Sequence, residues 1–384
     1  MTAIIRAASA HDFLALVPEL AGFHPRDSLV CVAFTGNRTA GVLRHDLPAE
    51  SGAHEALVAA VVGTICRLPD VDALVPIVYT DETFLEHGGL PQRSLLDLLV
   101  DRAEQAGFVV RDVLCQARDG WASALDPEAP IGGRPLGLIS ASAAARGVPV
   151  SERSSGSDQA GALPEPDPQT AIAIAAALEQ FAGSATAEAA IAALGRFADP
   201  VELVESLLGR RRRSSASAPS RLAWFLDLAA RPPIRDAMML QIAFGSVVAE
   251  LALDVADVTM PDEAGDVGPV VDAEPVFAGR ARAEVDDLLA RLLLGQTMLR
   301  PDRRRVERAL ELLRGLIANA PTEARPGACC IAAWLAWSLG RGSVAGALLE
   351  HALAIDVEHS MARLLDDFIG TGALPEWAFA SGGW

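Results

Sequence analysis

Residues 18–48, PELAGFHPRDSLVCVAFTGNRTAGVLRHDLP, decide how the first part of the chain folds. Within them Leu29–Phe34 reads LVCVAF, apolar at every position. A strand without polar alternation is buried on both faces, so it belongs inside a layered α/β structure. Thr35–Thr39, TGNRT, is a short turn, and Ala40–His45 is the return strand of a hairpin. On the other side, Gly22 and Pro25 make a turn that Asp27 or Ser28 closes.

The neighbouring segments continue the pattern. Thr2–Ala7 is a short β-prone run, and Ser9 is placed to cap a helix over His11–Leu20, where Phe13, Leu14, Val17 and Leu20 share a face. Pro18 is expected to break or restart that helix. Downstream, Ala53–Arg67 is amphipathic through Leu57, Val61 and Ile65, and Ala73–Thr80, ALVPIVYT, is a second apolar strand. Its Pro76 predicts an edge or a bulge, because proline cannot donate to a ladder. Leu90–Ala106 is a helix ended by Gly107, and Phe108–Ala117 is a strand. Arg118-Asp119-Gly120 then turns tightly into Trp121–Ala124, and Ile139–Arg146 is a short helix ending at Gly147.

Strands and helices alternate to about residue 125, which predicts an α/β domain with a mixed sheet over residues 1–150. Ser151–Gln169 has linker composition. Residues 170–384 show no convincing strand and are expected to form an all-helical domain. Its runs include Ala185–Phe197, Ile234–Leu251, Ala281–Leu299 and Ala324–Leu339. Two loops interrupt it, Gly209–Ser220 with Arg210–Arg213, and the long acidic Asp254–Gly279.

Charge and composition remove several chemistries. The net charge of −18 opposes non-specific binding to nucleic acid or anionic lipid. All 32 basic residues are arginine, so there is no lysine for a Schiff base, a phosphate-binding Walker loop or a kinase strand. No apolar run reaches the roughly 18–20 residues of a membrane span. The N-terminal residues contain no secretory h-region. The five cysteines, Cys31, Cys66, Cys115, Cys329 and Cys330, form no CxxC and read as reduced thiols of a cytoplasmic protein.

The blocks PELAGFHPRDSLVCVAF and GVLRHDLP, in this order around one turn, resemble the N-terminal signature of an actinobacterial family, domain of unknown function 4192. The VYTDE strand end, Trp121 after the second hairpin and a late LPEW are similar to that family too. The resemblance implies no reaction, since the family has none assigned. Separately, Leu339-Gly340 through Asp356 resembles the second half of a tetratricopeptide repeat, with Gly340 at the helix–helix turn and Ala345 at a close crossing. Val357 stands where that repeat usually has proline. One such hairpin implies a packing unit, since a solenoid needs about three repeats.

A hairpin over residues 29–45 places the start of its first strand beside the end of its second. His24, Asp27, Ser28, Arg44, His45 and Asp46 then gather at one end of the sheet, and Asp81 and Glu82 join them if their strand ends there too. As a site, this set offers Arg44 for an anion, a His–Asp pair for acid–base work and Ser28 as a nucleophile. As structure, Asp27 and Ser28 close the Pro25 turn, and Arg44 pairs with Asp46 to pin the hairpin. A metal at His24, His45, Asp46 and Asp81 would draw on three loops without tight spacing. Arg210–Arg213 could meet nucleic acid, but it is short, lacks interleaved aromatics and sits in a chain of charge −18, so it reads as a solvated loop or one paired with the acidic loop Asp254–Gly279. Trp224, Trp334 and Trp337 read as core.

The leading expectation is a non-catalytic cytoplasmic interaction or regulatory protein whose partner is another protein. Its rival is an enzyme or small-ligand sensor holding an anionic or nucleotide-like ligand near Arg44 and Asp46. No cofactor is identified by the residues.

Overall fold

A computed structural model describes residues 9–21, 24–142, 161–181, 191–209, 218–259 and 276–380. The Thr2–Ala7 run, Gly22 of the first turn, the end of the 139–146 helix, residues 151–160 of the linker, residues 185–190, Arg210–Arg213 and residues 260–275 of the acidic loop lie outside them. The chain divides into two compact units. One comprises Met1–Ala160 with Ala378–Trp384, the other Gly161–Trp377.

In the first unit, Ser28–Thr35 (β1) and Arg38–Asp46 (β2) form the hairpin, joined at Gly36, whose φ is 53°. Ala73–Tyr79 (β3) runs antiparallel on the other side of β1. Val109–Val110 (β4) and Leu114–Gln116 (β5) pair parallel with β3, and Trp121–Ser123 (β6) pairs antiparallel with β5. The order is β2-β1-β3-β5-β6, a mixed sheet.

Alternation along the strands sorts the core into two layers. Val30, Val32, Val75, Ile77, Tyr79, Leu114 and Trp121 face Leu14 and Val17 of Ala10–Ala21 (α1), with Leu136 and Ile139 packed alongside. Ile139 belongs to the short Gly137–Ser140 (α5). Leu29, Cys31, Ala33, Leu74 and Val78 point the other way and are also buried. On that side His54–Arg67 (α2) and Arg93–Gln105 (α4) pack together, and α4 packs on β3 and β4. A four-residue helix, Phe84–His87 (α3), follows β3.

Three expectations are corrected here. Helix α1 runs through Pro18 to Ala21. Only three residues follow the proline, so one forfeited hydrogen bond near the helix end is tolerated. Pro76 lies in a central strand, paired with Cys31 of β1. The carbonyls of Asp72 and Leu74 face the β4–β5 side, accepting from Val109 and Arg111. By alternation Pro76 faces that side too, where β4 has ended at Val110 and β5 has not begun at Leu114. The missing donor therefore falls opposite a break in the neighbouring strand. That break also splits the Phe108–Ala117 strand in two.

The second unit contains no strand among the described residues. Its helices are Pro168–Phe181 (α6), Pro200–Leu208 (α7), Ala218–Ala229 (α8), Pro232–Phe244 (α9), Ser246–Thr259 (α10), Val276–Leu293 (α11), Arg303–Asn319 (α12), Arg325–Ser338 (α13), Gly342–Ile355 (α14) and Ser360–Gly370 (α15). The single run expected over Ile234–Leu251 is two helices, broken at Gly245, whose φ of 101° excludes helical continuation.

Helix α13 is the centre of this unit. Every residue from Pro326 to Ser338 is buried, as expected of a helix surrounded by others. It packs against α8, α9, α12, α14 and α15. Trp334 and Trp337 are core residues whose indole N–H groups donate to the carbonyls of Leu293 and Ala373. At Gly327 the backbone of α8 comes so close that a Cβ would lie 2.3 Å from the Ala229 carbonyl oxygen.

Candidate functional site at the end of the sheet

The register of β1 settles which residues meet. Ser28 is paired with Asp46 on one side and Tyr79 on the other, and Leu29 with His45. Because β3 is antiparallel to β1, its C-terminal end and Asp81 lie at this same end. The Asp27 carboxylate accepts the Asp81 N–H at 3.1 Å, and the Asp27 carbonyl accepts from Leu47 N at 2.9 Å. Asp27 does this at a φ of 39°, a left-handed conformation that Asp tolerates better than most residues.

Adjacency along the strand nevertheless splits the set between two faces. Register partners share a face, so Asp46, Ser28 and Arg44 project on the α1 side. His45 shares a face with Leu29 and projects on the other side. The Arg44 guanidinium meets the Asp46 carboxylate at 2.5 Å, with the arginine mostly covered and the aspartate 79% exposed. Ser28 is fully buried, and its hydroxyl donates to the Arg26 carbonyl at 2.6 Å. Neither His24 nor His45 reaches it among the described residues.

The electrostatics are modest. Partial burial, reinforced by Arg26, lowers the pKa of His24. Burial lowers that of His45 as well, with Asp46 pulling the other way and Arg44 adding to the decrease. Both imidazoles therefore favour the neutral form. Burial pushes the thiols of Cys31, Cys115, Cys329 and Cys330 up to about 12, so none is poised as a thiolate. Among the described residues no three His, Cys, Asp or Glu side chains gather closely enough to hold a metal ion.

A second polar cluster at this end is built on Glu82, next to Asp81, and on partners that the sequence does not announce. The Glu82 carboxylate receives Gln92 Nε2 at 2.8 Å and meets His87 Nε2 at 2.9 Å. Asp119 accepts the N–H groups of Phe84 and Leu85 at the start of α3. These contacts tie the loop after β3 to the β5–β6 turn. Asp119 and its partners are about 35 positions apart in sequence, so no spacing announces them.

A different feature lies in the helical unit. An open groove of about 330 Å³ is lined by Leu353 of α14, Arg363, Asp366 and Asp367 of α15, and Val357 and Glu358 between them. Arg363 meets Glu358 at 2.7 Å, which leaves Asp366 and Asp367 as its net negative charge.

Comparison with known proteins adds one finding. The model of the family described as Domain of unknown function (DUF4192) matches residues 11–376. No curated protein and no solved structure matches. No helix among the described residues is long and apolar enough to cross a membrane.

Proposed function

We propose that this chain, which belongs to the DUF4192 family, is a non-catalytic cytoplasmic interaction or regulatory protein of actinobacterial type that receives a basic segment of another protein. The observation that carries the reading is the groove at α14–α15. It combines apolar side chains, Leu353 and Val357, with a net acidic rim. Val357 and Leu364 are 68% and 66% exposed, apolar surface offered beside the acids. A short peptide with an aliphatic anchor and flanking arginines or lysines matches that lining. The preceding α13–α14 hairpin, turned at Gly340 with a φ of 75° and with Ala345 fully buried, supports the tetratricopeptide-like reading of this region.

The sheet end supports the non-catalytic side of the proposal. Ser28 spends its hydroxyl on a backbone carbonyl, His45 projects from the other face, and the buried thiols stay protonated. Asp46 already neutralises Arg44, which weakens the rival reading of an anionic or nucleotide-like ligand there. The free cysteines support a cytoplasmic setting.

The test is selection from a random peptide library on the full-length chain, followed by affinity measurement. Enriched sequences should pair a basic run with one aliphatic residue, and the double variant D366R/D367R should bind them at least tenfold more weakly. Enriched peptides that bind the double variant unchanged would end the proposal.

A further inference from the structure

Two buried aromatic side chains, Tyr79 and Trp121, are among those whose polar atoms find no hydrogen-bond partner in the described residues. Each is only 4% exposed, and neither the Tyr79 hydroxyl nor the Trp121 indole N–H has a hydrogen-bond partner among the described residues. Buried Tyr and Trp normally find a partner for their polar atom. This chain supplies its own comparison. The indole N–H groups of Trp224, Trp334, Trp337 and Trp377 all donate to backbone carbonyls, at 2.7 to 3.0 Å. Trp121 departs from that pattern.

The two orphans lie on one row of the sheet, with β5 between them. Tyr79 is the register partner of Gln116, and Gln116 that of Trp121. One row therefore crosses the sheet end, Asp46, Ser28, Tyr79, Gln116, Trp121 and then Arg134, bridged to Trp121. All but Arg134 are fixed to the α1 face by register. Tyr79 and Trp121 belong to one cluster of buried side chains beneath α1, and the His11 ring of α1 lies 5.9 Å from the Trp121 ring. Leaving each group unsatisfied costs about 1–3 kcal/mol. A phenylalanine at position 79 would fill the same core without that cost, yet this position holds the only tyrosine of the chain.

We infer that the α1 side of the sheet end, at Tyr79 and Trp121, is a binding site for a small neutral molecule bearing an amide or lactam carbonyl. The indole can only donate and the phenol can donate or accept, so an oxygen acceptor suits each of them. The surrounding charge selects against an anion. Asp12, buried and bonded to Ser9, is acidic, while both nearby arginines are held by carboxylates, Arg44 by Asp46 at 2.5 Å and Arg134 by Asp126 at 2.6 Å.

Because Tyr79 is unique, labelling tyrosine with ¹³C at Cζ gives one NMR resonance that reads the site in the intact chain. Nicotinamide, uracil and benzoate are titrated separately. The two neutral carbonyl compounds should shift the resonance saturably, and benzoate should not. W121F should weaken the shift at least tenfold with circular dichroism unchanged. Y79F, followed by thermal shift, should keep or raise the melting temperature of the free protein while losing the stabilisation by nicotinamide and uracil. A resonance that no neutral probe moves, one that benzoate moves equally, or a Y79F chain that melts lower without ligand overturns the assignment. The last result would mean that internal water already serves the hydroxyl.

Discussion

A histidine that caps a helix does so only when neutral. His359 is the N-cap of α15, and its Nδ1 accepts the Ala362 N–H at 3.2 Å, with the Cys330 sulfur 3.8 Å from the same nitrogen. Burial first, then Arg235, holds its pKa below the usual 6.5, against an opposing pull from Asp356. A histidine with a lowered folded pKa binds its proton more readily when unfolded. Stability therefore starts to fall as pH drops through 6.5, and the loss levels off below the folded value. His24 and His45, lowered by burial, act in the same direction. Urea unfolding at pH 7.5 and 5.5 should show the chain less stable at 5.5, and H359N, whose amide oxygen can cap at either pH, should narrow the difference. H359A should cost about 1 kcal/mol at pH 7.5. Asp27 makes a second prediction at this scale. D27A removes the acceptor for Asp81 N–H and places alanine at a positive φ, so it should cost about 1–2 kcal/mol in urea unfolding. D27N keeps both an acceptor and a tolerant backbone and should stay near wild type. The sequence was a good guide to this neighbourhood because hairpin pairing follows from an apolar run, a turn and a return strand. It could not give side-chain direction, since the register that puts His45 on the other face depends on a bulge at Ala33–Phe34. Nor could it give Tyr79 or Trp121, whose interest lies in partners they lack.

At the scale of elements, backbone context overrode the reading of proline and glycine in both directions. Pro76 was tolerated in a central strand because its neighbour breaks between Val110 and Leu114, a tertiary fact invisible in ALVPIVYT. Gly245, in contrast, ended a helix whose apolar pattern runs on without interruption. The mixed sheet and the helical second half were legible because they rest on apolar periodicity over many residues. The short α3 was not, since four residues hold no period and its start depends on Asp119. Helix α13 yields two predictions. W337F should cost about 3 kcal/mol, because it opens a gap in the core and strands the Ala373 carbonyl that the indole N–H satisfies at 2.7 Å. G327A should cost about 2–3 kcal/mol, because the Ala229 carbonyl it would strike is backbone and cannot rotate away. Calorimetry should show both variants melting below wild type, whereas the neighbouring A328G would lose only helix propensity and a small packing contact, about 1 kcal/mol.

For the whole molecule the decisive quantity is charge. Fifty acidic residues against 32 arginines leave −18, a self-repulsion that every folded state of the chain must carry. Salt acts on this in two opposing ways. It screens the repulsion, which favours the compact form, and it weakens ion pairs, which disfavours it. The described pairs Arg93–Asp97, Arg303–Glu307 and Arg363–Glu358 are exposed on both partners, and such pairs contribute about 0–1 kcal/mol each. The Arg305–Glu205 pair is better shielded, with two nitrogens of the arginine on the two carboxylate oxygens, and is screened less. Repulsion is the larger salt-sensitive quantity, so raising NaCl from about 20 mM to about 300 mM at pH 7.5 should raise the melting temperature by a few degrees, about 1 kcal/mol. A fall would mean that ion pairs outweigh repulsion. Binding of a basic peptide at the α14–α15 groove should respond with the opposite sign, because there the acidic field is the attraction. Measuring both on one preparation separates the two effects: the same salt that stabilises the fold should weaken the complex, and a peptide affinity unmoved by salt would mean that Asp366 and Asp367 do not guide it.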